Sequence, residues 1–203
     1  MAFRVFGIIN HEPHGAPKLP DVKVIALREL AAVYEESEYS IHDVGPADVQ
    51  RHLDVVTALF NQDAVLPAPV GTVFRNKEVL ERWMDIHYVA LSDALAWVED
   101  RYAARVHITR AGGKPSEKEA GSDLAAVAAE VTRSLRRHAV STVPLRSEEV
   151  TGIVLSAAIL VERQLWKEFT EAVEEERERH PHIQIEVAGP WPPYDFVRLQ
   201  FGA

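Results

Sequence analysis

Ile183-Gln184-Ile185-Glu186-Val187 alternates apolar and polar side chains with a period of two, the pattern of a half-buried strand. Working back from it, Leu165, Phe169, Ala172 and Val173 mark the apolar face of a helix that ends in the charge run Glu174 to Arg179. That run reads as a solvated helix end supported by ion pairs three and four residues apart. Two β-rich stretches precede the helix, Val140 to Arg146 and Gly152 to Val161, and they can pair as a hairpin because Glu148-Glu149 sits where a turn belongs. Before them Ser122 caps a segment whose apolar face is Leu124, Val127, Val131 and Leu135, ending near Ala139. Tyr102 to Thr109 reads as a strand, and Ala111 to Gly121 lacks periodicity and reads as a mobile loop.

The order from Tyr102 onward is therefore β-α-β-β-α-β, which predicts an α+β protein whose C-terminal domain is ferredoxin-like, with four antiparallel strands and both helices on one face. The boundary falls near Asp100, giving an N-terminal α+β domain over 1–100 and the ferredoxin-like domain with a Pro/aromatic tail over 101–203. In the first hundred residues, Phe3 to Asn10, Val22 to Leu27 and Leu30 to Glu35 are strand candidates, and His11 to Pro20 is a loop. Pro46 opens a helix running to about Asp63, with Val49, Leu53, Val56 and Phe60 on one face. Val65 to Gly71 holds two prolines without N–H groups, so it fits only an edge strand or an extended segment. Asn76 caps a long helix with Glu78 in its first turn and a continuous stripe of Leu80, Trp83, His87, Leu91, Ala94 and Val98.

Composition narrows the function. Of 203 residues 47% are hydrophobic and 26% charged, an ordinary globular balance, and 31 acidic against 22 basic residues leave a net charge of −9. That sign opposes attraction to nucleic-acid phosphates and anionic lipid. With no cysteine, disulfides, thiolate metal sites and thiol nucleophiles are excluded together, in keeping with a reducing cytosol. Met1 to Ile9 reads as a strand rather than a signal peptide, and the longest nearly apolar run, Gly152 to Val161, is half of the roughly 20 residues a membrane helix needs.

No chemical constellation emerges. His11 and His14 flank a proline and are three residues apart, which does not match the zinc-hydrolase helix motif; His180 and His182 lack a third ligand. His87 lies on an apolar stripe without an identifiable partner, as a core or boundary histidine does. Gly112-Gly113-Lys114 lacks phosphate-loop spacing, and no GxSxG elbow is present. The reading is a non-enzymatic protein with no metal and no cofactor.

Two segments stand apart. Leu66-Pro67 leads into Gly71-Thr72-Val73-Phe74, a turn that inserts an aromatic before the Asn76 cap. Gly189-Pro190-Trp191-Pro192-Pro193-Tyr194-Asp195-Phe196 combines a stiff polyproline-like backbone with three large apolar rings. The physics allows two roles for this second segment, a strap over a sheet edge or domain seam and an exposed docking element. Its place after the last strand favours the interdomain strap.

At these segments the chain resembles the gas vesicle protein L/F family (GvpL/GvpF). The resemblance rests on Phe3 to Ile9, His52-Leu53-Asp54-Val55-Val56, Ala64 to Pro67, Gly71 to Phe74, Ser156 to Glu162, Phe169 and Gly189 to Tyr194, in that order along most of the chain. Ala68-Pro69-Val70 stands where many relatives carry an arginine and a phenylalanine, Ala188 replaces a frequent threonine, and the Ala111 to Gly121 loop is short. The resemblance implies an accessory or minor structural protein of gas vesicles, associated with the vesicle in the cytoplasm. Its implied partners are the small hydrophobic wall protein and other vesicle proteins, without nucleic acid or membrane and with no oligomeric state assigned. The positions it singles out for protein binding or interdomain contact are Leu66, Pro67, Gly71, Phe74, Gly189, Pro190, Trp191, Pro192, Pro193, Tyr194 and Phe196. The competing reading is an enzyme or small-ligand-binding protein on a ferredoxin-like domain, since fold alone does not decide function.

Overall fold

The computed structural model describes residues 1–11, 19, 21–38, 44–110, 121–145 and 153–197, without the side chains of 121–123 and 153. His14, the loop residues 111–120 with Gly112-Gly113-Lys114, and the Glu148-Glu149 turn lie outside the described residues. The chain is mixed α+β, with two antiparallel sheets and five α-helices among the described residues. It divides into two compact units, Met1–Glu99 together with Pro192–Ala203, and Asp100–Trp191.

In the first unit, β1 (Ala2–Asn10), β2 (Lys23–Leu27), β3 (Leu30–Ser37) and β4 (Val65–Pro67) form a sheet in the order β2-β3-β1-β4, and β5 (Val73–Phe74) also pairs with β1. Both prolines near β4 are tolerated because that strand lies at the sheet edge, where a missing donor leaves no ladder bond broken. A register shift between Val5 and Gly7 lets Val5 and Ile8 join Ala32 and Leu66 in one core. Phe6 instead meets the helix α1 (Pro46–Phe60), its ring centroid 5.7 Å from that of His52.

Helix α1 starts as expected at Pro46, with the Gly45 N–H donating to Asp48 Oδ2 at 3.1 Å. Its buried face differs from the expected stripe, consisting of His52, Val55, Val56, Leu59 and Phe60, while Val49 and Leu53 are exposed. Val56 and Phe60 belong to both arcs, and the helix is rotated about its axis so that His52 turns inward.

The long helix expected from Asn76 to Val98 is two helices, α2 (Lys77–Ile86) and α3 (Tyr88–Val98), broken at His87. Asn76 caps α2 as expected, its side chain accepting from the Val79 N–H at 2.9 Å. At the break the Trp83 carbonyl accepts both the His87 backbone N–H at 3.1 Å and its ring Nδ1–H at 2.8 Å. The His87 backbone there has φ −100° and ψ 9°, outside the helical well, and its ring stacks on Trp83 at 5.0 Å. Leu80, Trp83 and Met84 before the break and Leu91, Leu95 and Val98 after it all enter the same core.

Gly7 is fixed by close approach. A Cβ there would lie 2.7 Å from the Leu66 carbonyl oxygen and 2.9 Å from Val65 Cγ2. Gly7→Ala is therefore expected to cost about 1–3 kcal/mol by overpacking between β1 and β4. Hydrogen exchange of β1 amides checks this, and unchanged protection would contradict it.

In the second unit, β6 (Arg101–Arg110), α4 (Gly121–Leu135), β7 (Ser141–Pro144), β8 (Ile153–Glu162), α5 (Trp166–Arg179) and β9 (Ile183–Trp191) follow in turn, with sheet order β7-β8-β6-β9. Ala104, Val106 and Ile108 of β6, Ile159 and Val161 of β8, and Ile183 and Ile185 of β9 meet Val131 and Leu135 of α4 and Phe169 and Val173 of α5 in one core. The Arg177 guanidinium donates twice to the Ile185 carbonyl, at 2.9 and 2.7 Å, tying α5 to β9.

Two sequence expectations are corrected here. The last strand runs beyond Val187 to Trp191, because β9 is an edge strand and accepts Pro190 without losing an inner ladder bond. Residues from Pro192 onward belong to the first unit rather than the second, since Val197 packs against the first core and the Tyr194 ring lies 6.4 Å from that of His52.

Candidate protein-docking site

Of the positions singled out in the central segment, Leu66, Pro67 and Phe74 are core and Gly71 is an exposed turn residue. Leu66 is fully buried opposite Ile8, Pro67 is buried opposite Gly7, and Phe74 is buried with its ring 5.4 Å from Trp83. Gly71 has φ +84°, and a Cβ there would come within 2.8 Å of Val44 Cγ2, so glycine makes the turn between β4 and β5. A partner cannot reach Leu66, Pro67 or Phe74 without opening the fold.

The aromatic tail is divided between exposed and buried residues. Gly189, Pro190 and Trp191 are exposed, Pro192 and Pro193 are buried, and Tyr194 and Phe196 are partly buried. Trp191 keeps 48% of its surface, a large apolar face open to contact. The register shift between Ala103 and Arg105 leaves β9 one residue more than β6 around Gly189 and the cis Gly189–Pro190 bond. Tyr194 is held differently. Its hydroxyl is buried without a hydrogen-bond partner, and burial pushes its pKa up to about 12.

His52 faces it from α1. The residue is 1% exposed, and neither ring nitrogen has a partner in good hydrogen-bond geometry. Burial lowers its pKa below the ordinary histidine value; the nearby Ala68 backbone opposes this, and the charge of Arg4 adds to it. Arg4 on β1 is itself paired with Glu35 of β3 at 3.2 Å and Asp48 of α1 at 2.8 Å. In the sequence His52 stands out only as one of the positions that carry the family resemblance, since an isolated histidine in a helix carries no local sign of its surroundings.

A surface that sequence reading missed lies on α3. Leu91, Leu95 and Val98 face the core, yet the exposed side presents Val89, Ala90, Ala96 and Trp97 around Asp93, the only charged residue in the helix. Val89 is 69% exposed, Ile86 at the end of α2 68%, and Trp97 43%. A helix apolar on most of its circumference is expected to be covered on both sides, so a largely apolar open side is a candidate contact surface. The signal was in the composition of Tyr88 to Val98, hidden because a single stripe accounted for the core.

Features that would support chemistry are sparse. His107 Nδ1 lies 2.9 Å from Ser156 Oγ on neighbouring strands, and Glu176 of α5 pairs with Arg179 and lies 3.4 Å from His180 Nε2. No group of three or more potential metal ligands is brought together among the described residues. An open cleft bounded by Met1, Ala2, Glu36, Ser37, Glu38 and Arg75 contains no histidine. No helix among the described residues is long and apolar enough to cross a membrane.

Comparison with known proteins supplies the context for these surfaces. The family model of the gas vesicle synthesis protein GvpL/GvpF matches residues 5–118 and 103–198. The chain is similar to gas vesicle protein F2 of Halobacterium salinarum, 27% identical over 183 residues, covering 88% of this chain and 81% of that protein. It is 25% identical over 209 residues to gas vesicle protein F of Haloferax mediterranei, covering 98% and 94%. Its fold is similar to the crystal structure of GvpF from an Anabaena species, with a TM-score of 0.82, 15% identity and coverage of 98% and 99%. The crystal structure of GvpF from Microcystis aeruginosa matches with a TM-score of 0.77, 15% identity and the same coverage, 98% and 99%.

Proposed function

The chain belongs to the GvpL/GvpF family of proteins involved in gas vesicle formation, and from that premise we propose that it binds the small hydrophobic wall protein during nucleation or growth. The observation that carries this reading is the open side of α3 with Ile86, which presents Ile86, Val89 and Trp97 to solvent; among the described residues Ile86 and Val89 are more exposed than any other large apolar side chain except Met1. A partner rich in apolar surface gains by covering such a patch, and until assembly that partner is itself an aggregation hazard. Half-exposed Trp191 is a second point of contact on the same physical grounds. The acidic balance supports a protein partner over nucleic acid. The protein works in the cytoplasm at the vesicle surface and performs no catalysis.

We read Asp100–Trp191 as ferredoxin-like, supported by the strand order β7-β8-β6-β9 and by a core to which both α4 and α5 contribute. The fold by itself does not point to an enzyme.

Co-expression with the wall protein, followed by cross-linking and pull-down, tests the reading. Capture of the wall protein is expected, and recovery of neither it nor another vesicle component defeats the proposal. Quantification in washed, intact vesicles then separates a transient chaperone, which should be largely absent, from a fixed wall component.

A further inference from the structure

From the buried contact between Tyr194 and His52 we propose that Pro192 to Val197 is an acid-released latch, docked on the first unit at neutral pH and displaced when His52 takes up a proton. The geometry is specific. Tyr194 of the tail, His52 of α1 and Phe6 of β1 form a row of rings with successive centroid separations of 6.4 and 5.7 Å. His52 is 1% exposed, and three polar atoms in this row, His52 Nδ1 and Nε2 and the Tyr194 hydroxyl, have no partner in good hydrogen-bond geometry, the Ala68 backbone being too poorly placed to give His52 more than a weak interaction. Buried groups of this kind weaken the docking they take part in, because each makes better hydrogen bonds in water.

An imidazolium in this place has little to hold it. On α1 its own element contributes Asp48 and Arg51, β1 contributes Arg4, and β3 contributes Glu35. Both carboxylates are engaged, Asp48 by Arg4 and Glu35 by Arg4 and Arg51, and the Arg4 charge repels a protonated ring. The tail offers the neutral phenol of Tyr194, with Asp195 next to it in sequence, and the chain after β4 offers the Ala68 backbone, which favours the proton but is outweighed by burial. Tyr194 stays neutral throughout the acid range, so it does not respond itself.

With the tail undocked, His52 reaches water and titrates near its ordinary value of about 6.5; docked, it titrates lower. Above about pH 6.5 both states are neutral and docking is fully present. Below it the undocked state binds a proton that the docked state refuses, so the docking constant falls by up to about tenfold per pH unit until the lowered pKa is reached.

Hydrogen exchange of the full chain between about pH 4.5 and 7.5, corrected for the intrinsic pH dependence of exchange, reads this directly in the amides of Tyr194 to Val197. Tail protection is expected to drop in that manner as pH falls through 6.5, while β1 and β3 stay protected, and the drop is expected to vanish in His52→Leu. His52→Gln, which also cannot titrate, serves the same purpose if the leucine variant packs poorly. Tail protection independent of pH in the wild type, or an equal pH response in the folded variant lacking the imidazole, overturns the proposal.

Discussion

Replacing Phe74 with alanine is expected to destabilise the first unit by about 3–5 kcal/mol, the usual cost of deleting a buried phenylalanine. Phe74 is 2% exposed, its ring lies 5.4 Å from that of Trp83, and its backbone pairs with Phe3 of β1. Truncation therefore leaves a cavity where β5, β1 and α2 meet. A loss of partner capture in this variant would report unfolding rather than a missing contact. Hydrogen exchange distinguishes the two, because β1 amides are expected to lose protection while β6 amides, in the other unit, keep theirs. Unchanged β1 protection would contradict the placement of Phe74 in the core.

Gly189→Ala is expected to cost about 2–4 kcal/mol, combining overpacking with backbone strain. Gly189 has φ +152°, a region that side chains rarely adopt, and a Cβ would sit 2.9 Å from the Ala103 carbonyl oxygen and 3.0 Å from Trp166 Cη2. The oxygen is backbone in the central strand β6, so it cannot move aside cheaply. Here the second unit should lose stability, seen as weakened protection at the end of β9 and in β6. A variant as stable as the parent would show that the bulge at Gly189 relaxes freely.

These two positions show what the sequence carried and what it withheld. Phe74 and Gly189 were singled out because turn glycines, prolines and aromatics are rare in combination, and that rarity also exposed the family resemblance. Their roles were not readable, since whether Phe74 points inward depends on β5 pairing with Phe3, more than seventy residues away in the chain. Strand periodicity was plain in Ile183 to Val187 of β9, where alternation reflects one buried side, whereas β1 is buried on both faces from Val5 to Ile9 and shows only as a β-rich run. The break at His87 was invisible because apolar residues continue at helical spacing across it, and only the doubly bonded Trp83 carbonyl reveals the turn. Pro190 hid the end of β9 for a related reason: proline forbids an inner strand but not an edge, and strand order is a tertiary fact. The outer side of α3 was overlooked because one apolar stripe sufficed to explain the core, leaving Val89 and Trp97 unassigned.

That outer side of α3 can be tested directly. Ile86 and Val89 are both more than two-thirds exposed, so charges there should alter stability by no more than about 0.5 kcal/mol. At the centre of a contact the same charges would be desolvated on binding, at a cost of about 1.4 kcal/mol or more, at least tenfold in affinity. The decisive measurement is capture of the wall protein by the double variant Ile86→Glu and Val89→Glu, alongside the parent and with melting temperatures recorded for both. Capture is expected to fall at least about tenfold at unchanged melting temperature. Capture equal to that of the parent would contradict contact through this side.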